Sequence, residues 1–456
     1  MNEEIPVIDF STLAGGAAEE RAQVIHHLET VSHDWGFFMV VSNGVPKRLM
    51  DEMLDACEGF FNLSEDEKQV YNVKHVLVDP VRFGTSLNTS MEKISKLCFI
   101  SSLMAAQPLL PLFKYSTIKE ISDSGDLSSL PSCYSCRGPD IDGPTETLEE
   151  EVPIIDFSLL VGGTAKQRTQ VIQDLGKACR DWGFFMVVNH GVPKSLMEAM
   201  LNACMGFFNM REDEKQEYNE KHVLDPIRHG TSFNTSVDKV RYWRDYLKVF
   251  VHPDFHSPAK PSGFREISVE YATRTREMTK ELLKAIWESL ELKPDDMEEA
   301  LDLNSCFQIL VANLYPPCPQ PELTLGIPPH SDHGLLTVLL ENGVNGLKVE
   351  HNGKWVHVKS LPNSFLVNTG DQLEIVSNGK YKSVVHQAEV NASSTRMSLV
   401  TLVGPSLDNV VVPAPQLVKH KHQLAYNGMK YRDFLEHQQA NPLLVKSLLD
   451  LLRLHN

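Results

Sequence analysis

Two histidines and one aspartate in the C-terminal half of the chain have residue types and a spacing suited to binding a metal ion. His330 and Asp332 are separated by one serine, and His386 lies in a later apolar run. Residues two apart in an extended strand point to the same side, so His330 and Asp332 can bind one ion while a distant strand supplies His386. Two imidazoles and one carboxylate can occupy one face of an octahedral iron(II) ion and leave positions open for substrate and oxygen. The triad predicts a mononuclear iron site, although a histidine–x–aspartate pair alone is weak support in a chain with 18 histidines.

A candidate carboxylate-binding pair, Arg396 and Ser398, begins ten residues after His386. Ten is even, so Arg396 faces the same interior as His386 if one strand, or two strands in register, connects them. A guanidinium can clamp a carboxylate through two hydrogen bonds, and a serine hydroxyl adds a further donor. The alternative interpretation is that Arg396 is a surface charge beside a strand.

An ordered set of motifs resembles the plant 2-oxoglutarate/iron(II) dioxygenases, the group that contains anthocyanidin synthase and flavonol synthase. The motifs are Asn313-Leu-Tyr315-Pro-Pro-Cys318-Pro, His330-Ser-Asp332, Asn368-Thr-Gly-Asp371, Ser377-Asn-Gly-Lys-Tyr-Lys-Ser-Val-Val-His386 and Arg396-Met-Ser398. The resemblance extends from about Ser116 to the C-terminus. The order of all five motifs is far more specific than any one of them.

The resemblance implies a mainly β fold with flanking helices: a double-stranded β-helix, or jelly-roll, preceded by an α/β N-terminal module. It implies that iron(II), 2-oxoglutarate and O2 are used. Arg396 and Ser398 would hold the far carboxylate of 2-oxoglutarate, Tyr315 would contribute a hydroxyl, and Asn313 would lie nearby. Enzymes of this family decarboxylate 2-oxoglutarate to succinate and CO2 and oxidise a small-molecule substrate.

The resemblance also suggests which residues surround the substrate: Tyr246, Phe233, Val311, Leu335, Leu402 and Gly404. Flavonoid-oxidising relatives commonly have a lysine two residues before the motif asparagine, where this chain has Val311, and a phenylalanine and a glutamate where it has Leu402 and Gly404. These departures remove polar anchors and favour a less polar substrate. The classes considered are terpenoids, alkaloids, phenolics and flavonoids, which would be hydroxylated, desaturated or demethylated. The alternative is that these positions only pack.

The N-terminal part of the module occurs twice. The segment PVIDFS at 6–11 returns as PIIDFS at 153–158, DWGFFMVV occurs at 34–41 and 181–188, and TSLNTS at 85–90 returns as TSFNTS at 231–236. Two copies of one module are the economical explanation. The first copy has no counterpart of the predicted iron and 2-oxoglutarate ligands, so we do not expect it to bind iron.

The elements that must position these residues follow from apolar periodicity. Helical spacing predicts helices over 164–181, 194–208 and 271–290, an apolar run predicts a strand over 183–188, and short strands punctuated by turns follow from 307. The predicted organisation is a partial duplicate of the N-terminal module at 1–95, a linker and N-terminal extension at 96–150, the N-terminal module at 151–255, a helical segment at 256–300, the jelly-roll domain at 301–415 and a C-terminal helical tail at 416–456.

The composition indicates which kinds of partner and which cellular location to expect. The net charge of −17 argues against a nucleic-acid surface, because phosphate binding needs clustered Lys and Arg. The apolar stretch at 97–113 is short and contains two prolines, so we expect no membrane span. Eight cysteines without a secretory signal favour the cytoplasm. The oligomeric state is left open. Two other functions are considered: an ascorbate-dependent oxidase that does not use 2-oxoglutarate, and a non-catalytic binder of a small ligand.

Overall fold

The computed structural model describes residues 7–9, 12, 20, 23–27, 39–41, 51, 117–125, 127–136, 152–219, 222–233, 240–302, 304–418, 424–440 and 447–454. Contacts divide the chain into two units, Met1–Phe99 and Ile100–Asn456. The repeat at 85–90 and the apolar stretch at 97–113 lie outside the described residues. No helix among those that are described has the length and apolar character needed to cross a bilayer.

The first unit contains one described strand pair, in which β1 (Val7–Asp9) runs parallel to β2 (Met39–Val41). Val7 pairs with Met39 there, and in the second unit Ile154 pairs with Met186 in the same parallel sense. Each residue of the second pair lies 147 positions after its counterpart in the first. The repeated sequences therefore form the same strand pairing in both units.

The strands of the second unit are short and numerous, as expected for the turn-punctuated C-terminal half. They are β3 (Ile154–Asp156), β4 (Phe184–Val188), β5 (Ile227–Thr231), β6 (Asp245–His252), β7 (Phe307–Tyr315), β8 (Ile327–His330), β9 (Leu336–Glu341), β10 (Leu347–His351), β11 (Lys354–Val358), β12 (Phe365–Thr369), β13 (His386–Ala388), β14 (Arg396–Gly404), β15 (Val410–Val411) and β16 (Met429–Lys430).

Two sheets face each other and enclose the site. The larger has eight strands in the order β3-β4-β12-β9-β14-β7-β6-β5, and the smaller has four in the order β11-β10-β13-β8. Apart from the parallel β3–β4 pair, all pairings in both sheets are antiparallel. Buried side chains from both sheets, such as Leu366 of the larger and Val349 of the smaller, pack in one apolar cluster. This is the sandwich that a jelly roll requires.

The second unit also contains helices, several of which cover the outer face of the larger sheet. They are α1 (Ile118–Asp123), α2 (Phe157–Gly162), α3 (Ala165–Asp181), α4 (Lys194–Phe208), α5 (Glu212–Lys215), α6 (Phe264–Ser289), α7 (Pro294–Leu301), α8 (Asp371–Val376), α9 (Pro415–Val418), α10 (Tyr431–Ala440) and α11 (Ser447–Leu452). The main core joins apolar stripes of the helices, for example Leu175, Met200 and Leu282, to outer-face strand residues such as Val338 and Leu399.

The predicted helices match closely. Helix α3 begins after Thr164, which forms a capping box with Gln167, and α4 spans the predicted 194–208. Helix α6 begins earlier than the predicted 271, at Phe264. Strands β3 to β6, from the predicted N-terminal module, lie in the same sheet as β7, β9, β12 and β14 of the predicted jelly roll. The boundary predicted at residue 255 thus falls inside one sheet.

Candidate metal and cosubstrate site

The three predicted metal ligands converge between the two sheets. His330 ends β8, His386 begins β13, and the two are direct cross-strand partners. Asp332 follows just beyond the end of β8, not in extended strand as the sequence suggested. One Asp332 carboxylate oxygen lies 3.8 Å from His330 Nε2 and the other lies 3.7 Å from His386 Nε2. All three ligand atoms lie within 4.8 Å of one another.

Backbone carbonyls determine which nitrogen of each imidazole faces the site. His330 Nδ1 lies 2.8 Å from the Pro328 oxygen, and His386 Nδ1 lies 3.0 Å from the Val384 oxygen. A carbonyl oxygen can only accept, so each Nδ1 carries the proton and donates it. Each Nε2 therefore presents a lone pair toward Asp332, as a metal-binding imidazole must.

Asn368 and the local charges hold Asp332 ready to bind a cation. The Asn368 Nδ2 group donates to Asp332 Oδ2 over 2.8 Å. Burial raises the pKa of Asp332, but the imidazoles of His386 and His330 and the Asn368 hydrogen bond outweigh it and lower the pKa below its usual range. Burial and the neighbouring His386 lower the pKa of His330 to about 4. At neutral pH the triad therefore offers one carboxylate and a neutral His330 imidazole.

This donor set fits iron(II). Two ligands that each lie ~2.1 Å from one ion can be at most ~4.2 Å apart, and both measured carboxylate–imidazole separations fall inside that limit. Two imidazole nitrogens from β8 and β13 and one carboxylate from the segment after β8 would leave the opposite face of the ion open. The Phe184 ring packs edge-on against His386 at 5.7 Å and shields that side of the site from water.

Arg396 occupies a buried pocket beside the metal ligands, with its side chain 2% exposed. Its Nη2 group donates to Glu341 Oε1 over 2.5 Å, and the guanidinium carbon lies 4.9 Å from the Tyr315 ring centre. The Nε and Nη1 atoms are buried and have no hydrogen-bond partner among the residues that the structure describes. Gly346 leaves the room for this side chain, since a Cβ atom there would lie 2.7 Å from Arg396 Cδ. Two orphaned donors on one buried guanidinium fit the carboxylate of 2-oxoglutarate.

The other predicted cosubstrate residues adjoin Arg396. Tyr315 is its cross-strand partner on β7, and Asn313 is the partner of Ser398. The Asn313 Nδ2 group donates to Ser398 Oγ over 3.3 Å. The parity argument that linked Arg396 to His386 does not apply, because β13 and β14 lie in different sheets. Arg396 instead comes near the segment that follows β13, close to Gly346, where a Cβ atom would lie 2.7 Å from Arg396 Cδ and 2.9 Å from the Glu389 carbonyl oxygen.

The six predicted substrate residues separate into two groups. Tyr246, Phe233 and Val311 are half-buried. Leu335, Leu402 and Gly404 are buried in packing. Gly404 faces α10, where a Cβ atom would collide with the ring and hydroxyl of Tyr431. That hydroxyl lies 2.7 Å from His333 Nδ1.

Sequence reasoning missed several polar residues of the site. Glu341 pairs with Arg396, and Asn368 donates to Asp332. Lys248 on β6 lies opposite Val311, and Arg228 on β5 lies opposite Lys248. Alternation along β6 could have revealed Lys248, since it lies two residues after Tyr246 and thus shares its face. The pairing of β6 with β7, which brings Lys248 opposite Val311, could not be deduced from the sequence.

Family models match most of the chain. The model described as "2OG-Fe(II) oxygenase superfamily" matches residues 306–405, and the model described as "non-haem dioxygenase in morphine synthesis N-terminal" matches 5–108 and again 152–268. The first match contains the metal triad, Arg396 and Ser398.

Similar proteins and a similar crystal structure agree with these family matches. The chain is 51% identical over 308 residues to "2-oxoglutarate-dependent dioxygenase 19" of Oryza sativa subsp. japonica, covering 67% of this chain and 91% of the relative. It is 35% identical over 343 residues to "Thebaine 6-O-demethylase" of Papaver somniferum, covering 72% and 93%. The crystal structure of JOX2 in complex with 2OG, Fe and JA superposes with a TM-score of 0.67 at 31% identity, covering 75% of this chain and 98% of that one.

The expected jelly-roll fold and the expected iron(II) and 2-oxoglutarate cofactors are confirmed by this agreement. The chain belongs to the 2OG-Fe(II) oxygenase superfamily, and within it to the 2-oxoglutarate-dependent dioxygenases.

Proposed function

We propose that this enzyme hydroxylates, desaturates or demethylates a small plant specialised metabolite or hormone, with release of succinate and CO2. The convergence of His330, Asp332 and His386 beside the orphaned donors of Arg396 supports the proposal most strongly. The substrate classes considered are terpenoids, alkaloids, phenolics and flavonoids. Demethylation is included because the thebaine demethylase is a relative.

The residues of the chain would have the following roles. His330, Asp332 and His386 would hold the iron, and Arg396 with Ser398 would hold the far carboxylate of 2-oxoglutarate. When bound, iron(II) would activate O2, with 2-oxoglutarate giving up two electrons as it becomes succinate and CO2 and O2 providing the oxidising equivalents. Asn368 keeps Asp332 oriented, and the Pro328 and Val384 carbonyls keep both imidazoles in the metal-binding tautomer. The Phe184 ring, packed against His386, would limit access of water from that side.

Arg396 favours 2-oxoglutarate over the ascorbate-only alternative. An oxidase that does not use 2-oxoglutarate has no need of a buried guanidinium with two orphaned donors beside the metal ligands. A non-catalytic binder likewise has no need of a complete metal triad. Succinate formation coupled to substrate oxidation separates the proposed function from both alternatives.

The experiment is an assay of succinate in purified protein with iron(II), 2-oxoglutarate and O2. We expect slow succinate release without substrate and faster release when a fraction of plant metabolite extract contains the substrate. Replacing His330 or Asp332 by alanine should abolish release. The matched control is His357→Ala, because His357 lies on β11 with its side chain 48% exposed, outside the triad. Full activity in both triad variants contradicts the proposed ligands.

We also propose that the first unit is an accessory copy of the N-terminal module without an iron site. Its strand register repeats that of the second unit, and its sequence has no counterparts of the predicted ligands. A cytoplasmic location is proposed as well. All six cysteines in the described part of the chain are free thiols, as is usual in a reducing compartment.

A further inference from the structure

Lys248 lies on the inner face of the larger sheet. Its direct cross-strand neighbours are Arg228 on β5 and Val311 on β7. Residues directly opposite each other on paired strands share one face, so these three side chains form one row. Lys248 and Val311 are half-buried, whereas Leu247 and Val249 on the other face of β6 are 1% and 3% exposed. Lys248 and Val311 are therefore partly accessible to solvent, unlike the residues on the other face of β6.

This row lies between the two predicted cofactor sites. Val400 on β14 continues it, because Val400 pairs with Val311. Ser398, of the cosubstrate site, is two residues before Val400. Leu402, two residues after Val400, lies on the next row, which runs through Thr337 to Asn368, the hydrogen-bond donor to Asp332. Positions two apart in a strand are separated by ~6.6–7 Å. A ligand on the row of Lys248 would thus lie next to both cofactors without occupying either site.

Positively charged side chains lie on the row of Lys248 and close to it. Arg244 lies 5.0 Å over the Tyr246 ring and donates to the Ser232 carbonyl and, over 3.2 Å, to Asn313 Oδ1. Its positive charge acts on Lys248 together with that of Arg228. Within the part of the chain that the structure describes, Lys248 Nζ has no hydrogen-bond or ion-pair partner.

The surroundings of Lys248 disfavour its charge in the empty pocket. Burial, followed by the positive charges of Arg228 and Arg244, lowers the pKa of Lys248 well below its usual range, and Asp332 opposes them. Asp332 is committed to the iron. An anion bound at Lys248 would offset the repulsion between these cations.

We propose that the substrate is a small organic carboxylate whose anionic group binds to Lys248 and Arg228. This inference rests on the proposed function and specifies its substrate class. A guanidinium and an ammonium side by side match the two oxygens of a carboxylate, and Val311 and Val400 offer apolar contacts to the rest of the molecule. The sequence analysis favoured a less polar substrate because this chain has Val311 where flavonoid-oxidising relatives have a lysine. Lys248 lies directly opposite Val311 and supplies a cation there, so the proposed substrate is more polar than that expectation.

Calorimetric titration tests the proposal, with the full chain loaded with iron(II) under argon and saturated with 2-oxoglutarate. The probes are benzoate, 3-phenylpropanoate and octanoate, each paired with its primary amide, which has the same shape without the charge. We expect at least one acid to bind tenfold or more tightly than its amide. Lys248→Met should remove that preference, and Lys248→Arg should keep it. Lys284→Met, with its side chain 48% exposed on α6, is the matched control and should change nothing.

A relocated charge guards against a variant that fails to fold. The double variant Lys248→Met/Val311→Lys restores a lysine to the same row one strand away, and it should recover a preference for the acid. Equal binding of acids and amides by the parent chain, no binding of any acid, or a preference that survives in Lys248→Met would each overturn the proposal. Succinate release without substrate, measured on the same preparations, tests the proposed function separately, because it does not depend on which probe binds.

Discussion

Arg396 and Glu341 form a buried ion pair, so replacing Arg396 by methionine should lower both stability and 2-oxoglutarate affinity. Both side chains are 2% exposed, and the pair is 2.5 Å long. Without Arg396, Glu341 is left buried with the Ser360 hydroxyl as its remaining donor. Breaking such a pair costs about 3–5 kcal/mol of unfolding free energy. Loss of two charge-assisted hydrogen bonds to 2-oxoglutarate should weaken its binding roughly 100-fold or more.

A second variant separates the two effects. Arg396→Met/Glu341→Gln removes both charges, so most of the lost stability should return, whereas 2-oxoglutarate binding should stay weak. Stability is measured by urea unfolding and affinity by titration of 2-oxoglutarate into the iron-loaded protein. Arg168→Met is the control, because Arg168 and Glu288 are paired with side chains 42% and 49% exposed, and such pairs contribute under about 1 kcal/mol. If Arg396→Met is as stable as the parent chain, or if the double variant regains 2-oxoglutarate affinity, the reasoning is wrong.

Three further predictions concern the support of the site. Asn368→Ala should weaken metal binding about 10–100-fold, because Asp332 loses the donor that orients it; unchanged affinity in a cobalt(II) titration would contradict this role. Burial raises the pKa of Asp245 to about 6, so the folded state holds this proton more tightly and Asp245 reduces stability as pH rises from about 4 to about 6. Asp245→Asn should therefore gain stability relative to the parent over that pH interval and stay level above it, and parallel urea-unfolding curves would refute this. A chain beginning at Lys114 should keep succinate release, and an inactive Lys114 chain would instead give the first unit a necessary role. A chain beginning at Val152 should be less stable, because it lacks Ile118 and the hydrogen bond from the Ile118 backbone to Asp245.

The metal triad could be predicted because its information is local or carried by ordered motifs. His330 and Asp332 are two residues apart, and the motif around His386 completes the set. Helices α3 and α4 could be predicted for the same reason, since apolar spacing and a capping threonine mark them within one stretch of chain.

Pairing between distant strands could not be predicted. The sequence does not show that β6 lies beside β7, so Lys248 opposite Val311 was missed and the pocket was expected to be less polar. It does not show that α10 brings Tyr431 against Gly404, which makes that position a packing site. Nor does it show that β13 and β14 belong to different sheets, so the parity argument for Arg396 failed even though Arg396 lies beside the site. Each of these contacts joins segments that are far apart in the chain.

The most direct test of the metal site is a titration of the purified, metal-free chain with cobalt(II), followed by its visible absorption. One ion per chain should bind, and His330→Ala, Asp332→Ala and His386→Ala should each abolish the signal while His357→Ala leaves it unchanged. If any of the three alanine variants binds cobalt(II) with the affinity and spectrum of the parent chain, that residue is not a ligand, and the three-residue site described here is incorrect.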